Sequence, residues 1–211
     1  MLIRSLIRVR LTKYFRSDIY IKNRCAGADA ILIDLEKHDD RTDDDYKLRS
    51  FHRVRDSLYS LPKILVDPVA SNPNPWIPKL ITEESVSGLA IRSSAPSTID
   101  FLDGVDPRCA EHDTLYTMIW DKQEERITHC IISYHRINDA DTLFNSNIRA
   151  AVEGSLKNNI QPLAARTRRF RDMESAIQEF TILRQIGFTG AVIRNPNLIE
   201  LTNNVFDEKN Y

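Results

Sequence analysis

Two carboxylates, Asp34 and Glu36, follow the aliphatic run at residues 30–33. Four consecutive aliphatic residues are typical of a strand buried on both faces, as in a parallel sheet covered by helices. Side chains two residues apart on a strand share a face. Because α/β folds bind ligands at the carboxyl ends of parallel strands, we expect both acids to lie in a catalytic pocket. A buried carboxylate needs a cation, an arginine or a proton. Arg8 or Arg10 could supply the arginine, so a structural ion pair is as plausible as a metal site.

Charged side chains also follow the other strand-like runs, at Asp67, Arg92, Asp121, His135, Arg136, Arg166, Arg168 and Arg194. Guanidinium groups bind carboxylates and phosphates through paired hydrogen bonds and keep their charge at any relevant pH. We therefore expect Arg92, Arg166 and Arg194 to bind an anionic substrate, with Asp67 in the same site. The alternative for the basic run that begins at Arg166 is an ordinary solvated loop. His135 could act as a general acid or base, because the pKa of histidine lies near neutrality, or be an ordinary hydrogen-bonded residue.

The elements that position these residues alternate between strand-like runs and helix-periodic segments. Strand character is found at residues 2–9, 30–35, 64–66, 88–92, 115–120, 127–134, 160–165 and 191–193. Helical patterns cover residues 17–25, 46–58, 140–158, 173–186 and a last segment that ends at 206. Repeated strand–helix units imply a parallel sheet. We predict one domain over residues 1–211, a (β/α)8 TIM-type barrel, with an open doubly wound sheet as the alternative. Such a barrel typically needs about 250 residues, so this one would be shortened.

The shortening is expected in the middle of the chain, over residues 115–135. Residues 121–126 separate two strong strand segments. A parallel connection needs about a dozen residues, so this gap cannot hold a crossover helix. The two strands should therefore form a hairpin, or be neighbours that have lost the intervening helix.

The overall composition argues against a nucleic-acid-binding, membrane-spanning or disulfide-rich protein. The 211 residues are 42% hydrophobic and 28% charged, which is ordinary for a globular domain with a real core. A net charge of −1 gives no general attraction to nucleic acid, and no apolar run approaches the length that spans a membrane. Cys25, Cys109 and Cys130 are few and widely spaced, which favours a reducing cytoplasm over a disulfide framework. We expect neither a nucleic-acid partner nor a membrane partner.

Several segments carry a family resemblance, at residues 4–7, 27–36, 170–172, 186–199 and 204–206. The first resembles an Arg-Ser-hydrophobic first strand. The second resembles a Gly-Ala-Asp-Ala-hydrophobic-Asp-Leu-Glu second strand, and the tail resembles a closing Gly-Phe-x-Gly element. Together these motifs resemble the citrate lyase beta subunit and the HpcH/HpaI aldolase superfamily. The resemblance implies a barrel that forms homo-oligomers. It also implies cleavage or formation of carbon–carbon bonds in 2-oxo acids or acyl-CoA thioesters, assisted by magnesium.

Asp34 and Glu36 match the family pattern, whereas other positions differ from it. Leu65 stands where the resemblance implies a substrate-binding arginine. Residues 118–121 and 133–136 offer no match for the glutamate and the aspartate that would hold magnesium. Magnesium is thus possible by resemblance, but its ligands are not intact and no metal ligand is assigned.

Three hypotheses remain open. The first is a divergent carbon–carbon lyase or aldolase acting on a small anionic 2-oxo acid or an acyl-CoA thioester. The second is a non-catalytic barrel that serves as a binding or assembly subunit. The third is a metal-free barrel enzyme that uses His135 and the arginines on a small polyanion. Whether the protein is an enzyme is left open.

Overall fold

A computed structural model describes residues 2–10, 24–34, 51–53, 55–56, 63–67, 82–92, 116–134, 142–166 and 172–207. The strands are β1 (Ser5–Arg10), β2 (Ala30–Asp34), β3 (Lys63–Asp67), β4 (Val86–Arg92), β5 (Tyr116–Asp121), β6 (Arg126–Tyr134), β7 (Gln161–Arg166) and β8 (Gly190–Ile193). The helices whose bounds are described are α1 (Thr142–Lys157), α2 (Met173–Ile186) and α3 (Ile199–Val205), with a 3-10 turn at Pro196–Leu198 before α3. Residues 24–25, 51–53 and 55–56 are also helical, and the rest of the helices predicted over 17–25 and 46–58 lies outside the described residues. Each strand lies where the sequence predicted one.

The eight strands form a closed barrel in chain order. β8 pairs with β1 in parallel, so the sheet closes on itself and the open doubly wound alternative is wrong. β5 is antiparallel to both of its neighbours, β4 and β6. The β5–β6 connection is the tight turn over residues 122–125. The shortened TIM-type barrel is thus confirmed, and so is the hairpin in its middle.

The period of two along each strand separates two hydrophobic layers. One layer fills the barrel lumen, where it includes Leu6, Ala30, Leu32, Leu65, Ala90, Ile119, Ile131 and Leu163. The other lies between sheet and helices, where it includes Ile7, Ile31, Ile33, Val66, Ile132, Phe180 and Leu183. The face of each charged residue in a strand can therefore be read from its spacing to these residues.

Local sequence explains where helix α2 begins and ends. Asp172 caps its amino end by accepting a hydrogen bond from the backbone amide of Ser175 at 2.8 Å, and the Ser175 hydroxyl completes the capping box. Gly187 ends the helix in the left-handed conformation, at a φ of 109°, which glycine adopts without steric cost. No helix in the described part of the chain is long and apolar enough to cross a membrane.

A close approach of two strands depends on a glycine. A Cβ atom at Gly88 would overlap the carbonyl oxygen of Trp120 on the antiparallel neighbour, and would lie 3.1 Å from Cδ2 of Leu65. The absence of a side chain at this position lets β4 receive the reversed strand β5.

Candidate functional site at the carboxyl-end rim

The seven parallel strands bring their carboxyl ends to one rim of the barrel. Their last residues are Arg10, Asp34, Asp67, Arg92, Tyr134, Arg166 and Ile193. Five of these seven residues are charged. Concentrated charge at the end where TIM barrels bind ligands marks this rim as the candidate site.

Asp34 and Arg8 form an ion pair inside the lumen near this rim. Nε and Nη2 of Arg8 both donate to Oδ2 of Asp34, at 2.9 and 2.7 Å. The Asp34 side chain is completely covered, whereas the Arg8 side chain is 20% exposed. Of the two alternatives left open by the sequence, an ion pair with an arginine of the first strand or a metal site, the ion pair is present for Asp34. The exposed part of this ion pair therefore belongs to Arg8 and not to Asp34.

Near the rim, four partly exposed positions of the lumen layer carry small or medium-sized side chains. Below, the lumen is filled by buried Leu and Ile residues. Closer to the rim, Thr117, Ser133, Ala165 and Val192 follow the same inward alternation and are partly exposed. Two hydroxyl groups thus lie on the face that carries Arg8. These hydroxyls were not singled out from the sequence, where only the alternation with Ile119 and Ile131 could have indicated them.

Arg166 lies at the same rim but belongs to the outer layer of the barrel. Ala164, two residues earlier, packs between sheet and helices. Nε of Arg166 lies 3.3 Å from Oε1 of Glu179 on α2, and both side chains are largely covered. Tyr134 pairs with Arg166 in the sheet register. Burial and the Glu179 carboxylate raise the pKa of Tyr134 well above its usual value, so this phenol stays protonated. Arg166 therefore has a structural ion pair on the helix side of the sheet.

The remaining site residues expected from the sequence divide into three groups. Arg194 follows β8 directly and is exposed, and its carbonyl oxygen accepts a hydrogen bond from Arg24 at 2.8 Å. Asp67 and Arg92 end β3 and β4 at the rim, and Asp67 lies opposite Asp34 in the sheet register. The structure describes the backbone of these two residues but not their side chains. Glu36 and His135 lie outside the described residues.

Asp121 requires a correction. The sequence placed it with the carboxyl-end residues, and it does end β5, but β5 runs in the opposite direction to its neighbours. Asp121 therefore lies at the amino-end rim, where Lys63 Nζ contacts its Oδ2 at 2.5 Å. The inward-facing His129 lies near this pair. Burial and the nearby Lys63 charge lower the pKa of His129 to about 4. The amino end of the lumen is thus closed by a polar cluster, at the opposite end from the candidate site.

The described residues do not fit a magnesium site of the kind that the resemblance implied. No group of three His, Cys, Asp or Glu side chains that could hold a metal ion occurs among them. A ligand expected after the fifth strand would have to come from Asp121, which lies at the other end of the lumen. Asp34, the described carboxylate at the rim, is covered and bonded to Arg8.

Comparison with known proteins gives a likeness of fold. No protein-family profile matches the chain, and no curated protein matches it in sequence. Among solved structures, Haloferax volcanii malate synthase matches over 97% of this chain and 74% of its own, at 10% identity and a TM-score of 0.61. CitE of Mycobacterium tuberculosis, in complex with magnesium, acetoacetate and coenzyme A, covers 97% of this chain and 81% of its own, at 12% identity and a TM-score of 0.59.

A further match is the citrate lyase beta subunit from Mycobacterium tuberculosis, at 13% identity, a TM-score of 0.54 and 96% coverage of both chains. Identities this low establish the fold and leave the activity open. The chain has the TIM-type barrel fold of the citrate lyase beta subunit, which is the resemblance that its sequence motifs predicted.

Proposed function

We propose that this protein is a divergent member of the HpcH/HpaI aldolase superfamily. In this proposal it binds a small anionic 2-oxo acid, or an acyl-CoA thioester, at the carboxyl-end rim and acts as a carbon–carbon lyase or aldolase. The fold likeness supports the reaction class, and the complex of CitE with acetoacetate and coenzyme A supports the substrate class. A single 1–211 domain, a homo-oligomeric state and a cytoplasmic location complete the proposal.

The observation that carries the proposal is the ion pair between Arg8, whose side chain is 20% exposed, and the fully covered Asp34. Asp34 fixes the direction of the Arg8 side chain, because Nε and Nη2 of Arg8 both contact one carboxylate oxygen. A guanidinium fixed in this way loses little side-chain entropy when it binds a ligand. The carboxylate of a 2-oxo acid is the natural partner for such a group.

The other groups of the proposed site follow from their positions at the rim. Thr117 and Ser133 would offer hydroxyl donors to the 2-oxo oxygen of the acid, at the partly exposed end of the lumen. Arg194, Arg92 and Asp67 remain proposed contacts on the basis of their strand ends. Glu36 and His135 are proposed as the groups that move protons, as their types suggest. Arg166 is not included among the binding groups, because its partner lies on the helix side.

A second candidate function is a non-catalytic binding or assembly subunit. The reversal of β5 favours it, because the reversed strand takes a carboxyl end away from the rim where barrel enzymes gather their catalytic residues. In this alternative the rim still binds an acid, but no bond is broken.

Thermal unfolding with and without ligand tests the proposal. Pyruvate, oxaloacetate and acetyl-CoA are added singly, each with and without magnesium, because ligand binding to the native state raises the melting temperature by mass action. A rise with any of these compounds supports the site. Product formation from oxaloacetate or from an acyl-CoA substrate then separates the lyase from the binding subunit. No shift with any of the compounds would contradict the proposed substrate class.

A further inference from the structure

We infer that Arg8 serves as the permanent cation of this site, so that the protein binds its acid without a divalent metal. The inference rests on the proposed function, since it concerns the same rim and the same class of ligand. It assigns to Arg8 the role of substrate-binding residue.

The first argument is the accessibility of the ion pair. A divalent cation would have to reach an oxygen of Asp34, but the Asp34 side chain has no exposed surface, and its Oδ2 already accepts two N–H groups of Arg8. Magnesium also demands about six oxygen ligands in near-octahedral geometry and dehydrates reluctantly. A metal ion could bind Asp34, the carboxylate whose side chain is described at this rim, only by displacing the Arg8 guanidinium from its Oδ2.

The second argument is the direction of β5. A parallel fifth strand would end at the carboxyl-end rim and could place a carboxylate next to Asp34. In this barrel the fifth strand ends at the amino-end rim with Asp121. The Asp121 carboxylate is fully used there, because Lys63 contacts one oxygen and the amides of Gln123 and Glu124 donate to the other at 2.9 and 3.2 Å. The direction of β5 thus removes Asp121 as a possible oxygen ligand at the carboxyl-end rim, where Arg8 stays paired with Asp34.

A guanidinium and a metal ion differ in how they hold an acid. The guanidinium carries its charge at any physiological pH and binds a carboxylate through hydrogen bonds of fixed geometry. Acid binding should therefore be insensitive to chelators. It should depend on the planar fork of Arg8 more than on positive charge alone, so a lysine at position 8 should be a poor substitute.

The test measures pyruvate and oxaloacetate binding by calorimetry, in excess EDTA and in magnesium. Three variants are compared with the wild type: Arg8→Lys, the double variant Arg8→Met with Asp34→Leu, and Arg126→Met. The double variant avoids leaving Asp34 buried without its partner, because a buried ion pair can usually be replaced by apolar residues without loss of stability. Arg126 is the matched control, since its ion pair with Glu124 is exposed and lies at the opposite rim.

We expect the wild type and Arg126→Met to bind equally well in both buffers. Arg8→Lys and the double variant should bind about 10- to 100-fold more weakly, the usual effect of losing a hydrogen bond to a charged group. Binding that requires magnesium, or wild-type affinity in the folded double variant, would overturn the inference while leaving the proposed function intact. Absence of binding in both buffers would overturn the proposed function and the inference with it.

Discussion

Replacement of Lys63 by methionine should strongly destabilise the barrel, because it leaves the Asp121 carboxylate buried without its cation. Lys63 Nζ lies 2.5 Å from Oδ2 of Asp121, whose side chain is 4% exposed. Burial is the largest influence on the pKa of Asp121 and raises it. The hydrogen bonds from Lys63 and from the backbone amides of Gln123 and Glu124 outweigh burial, and the pKa is lowered.

The size of the effect follows from the partners that remain. Removal of one member of a buried ion pair typically costs about 3–5 kcal/mol. Two backbone amides still donate to the carboxylate in the variant, so we expect the lower end of this range, a loss of about 3 kcal/mol in the free energy of unfolding. For a chain of this size each kcal/mol lowers the melting temperature by about 2–4 °C, which gives a fall of about 6–12 °C.

The stability difference between Lys63→Met and the wild type should depend on pH, because Asp121 titrates. In the wild type, the lowered pKa of Asp121 stabilises the fold above the ordinary aspartate value of 3.8, and this stability is lost as the pH falls through the folded-state pKa. In Lys63→Met the Asp121 carboxyl group loses the lysine that lowers its pKa. Protonation of Asp121 at low pH therefore removes the destabilisation caused by an unpaired buried charge. The gap in stability between variant and wild type should therefore be widest near neutral pH and narrower at about pH 4.5.

Urea unfolding at both pH values measures this gap, with Arg126→Met as the surface control. The Arg126–Glu124 pair is half exposed, so its loss should change stability by less than about 0.5 kcal/mol. The double variant Lys63→Met with Asp121→Asn should recover most of the stability, because the amide carries no charge. If Lys63→Met melts within about 2 °C of the wild type, Asp121 is not the buried, lysine-dependent carboxylate described here.

Two further predictions concern the reversed strand and the amino-end cluster. Gly88→Ala should lower the free energy of unfolding by about 1–3 kcal/mol, because its Cβ would overlap the carbonyl oxygen of Trp120. On α1, a Cβ at Gly154 would meet nothing within 4 Å, so Gly154→Ala should raise the free energy of unfolding by up to about 1 kcal/mol. Equal effects of the two substitutions on the melting temperature would contradict the β4–β5 packing. His129 has a folded-state pKa of about 4 against an ordinary value of 6.5, so the unfolded state binds the proton more readily. Wild-type stability should fall by about 2 kcal/mol more than that of His129→Gln between about pH 7 and 5, and parallel pH profiles in urea titrations would refute the assignment.

Much of the fold could be predicted from local pattern. Strand-like runs of three to eight residues marked all eight strands, and the period of two along them encodes which residues share a face. The spacing between residues 121 and 126 was too short for a helix, which indicated the hairpin of β5 and β6. Asp172 and Gly187, residue types that commonly begin and end helices, bound α2.

The candidate site was predicted less completely. Asp34 and its arginine partner on the first strand could be expected, because a buried carboxylate requires compensation. Arg166 was expected among the substrate-binding groups, but its ion pair with Glu179 lies outside the sheet. Its strand is apolar on both faces, so the sequence does not reveal which face becomes the lumen.

The sequence by itself determined the number of strands, their alternation of faces and the need for a tight turn after Asp121, because these properties depend on neighbouring residues along the chain. Only the tertiary structure decided which rim each charged residue reaches. Closure of the barrel fixes the direction of β5 through its pairing with β4 and β6, and that direction places Asp121 beside Lys63 at one end and leaves Arg8 with Asp34 at the other. The short connection indicates that β5 and β6 run in opposite directions, but which of the two is reversed relative to the other strands depends on long-range pairing.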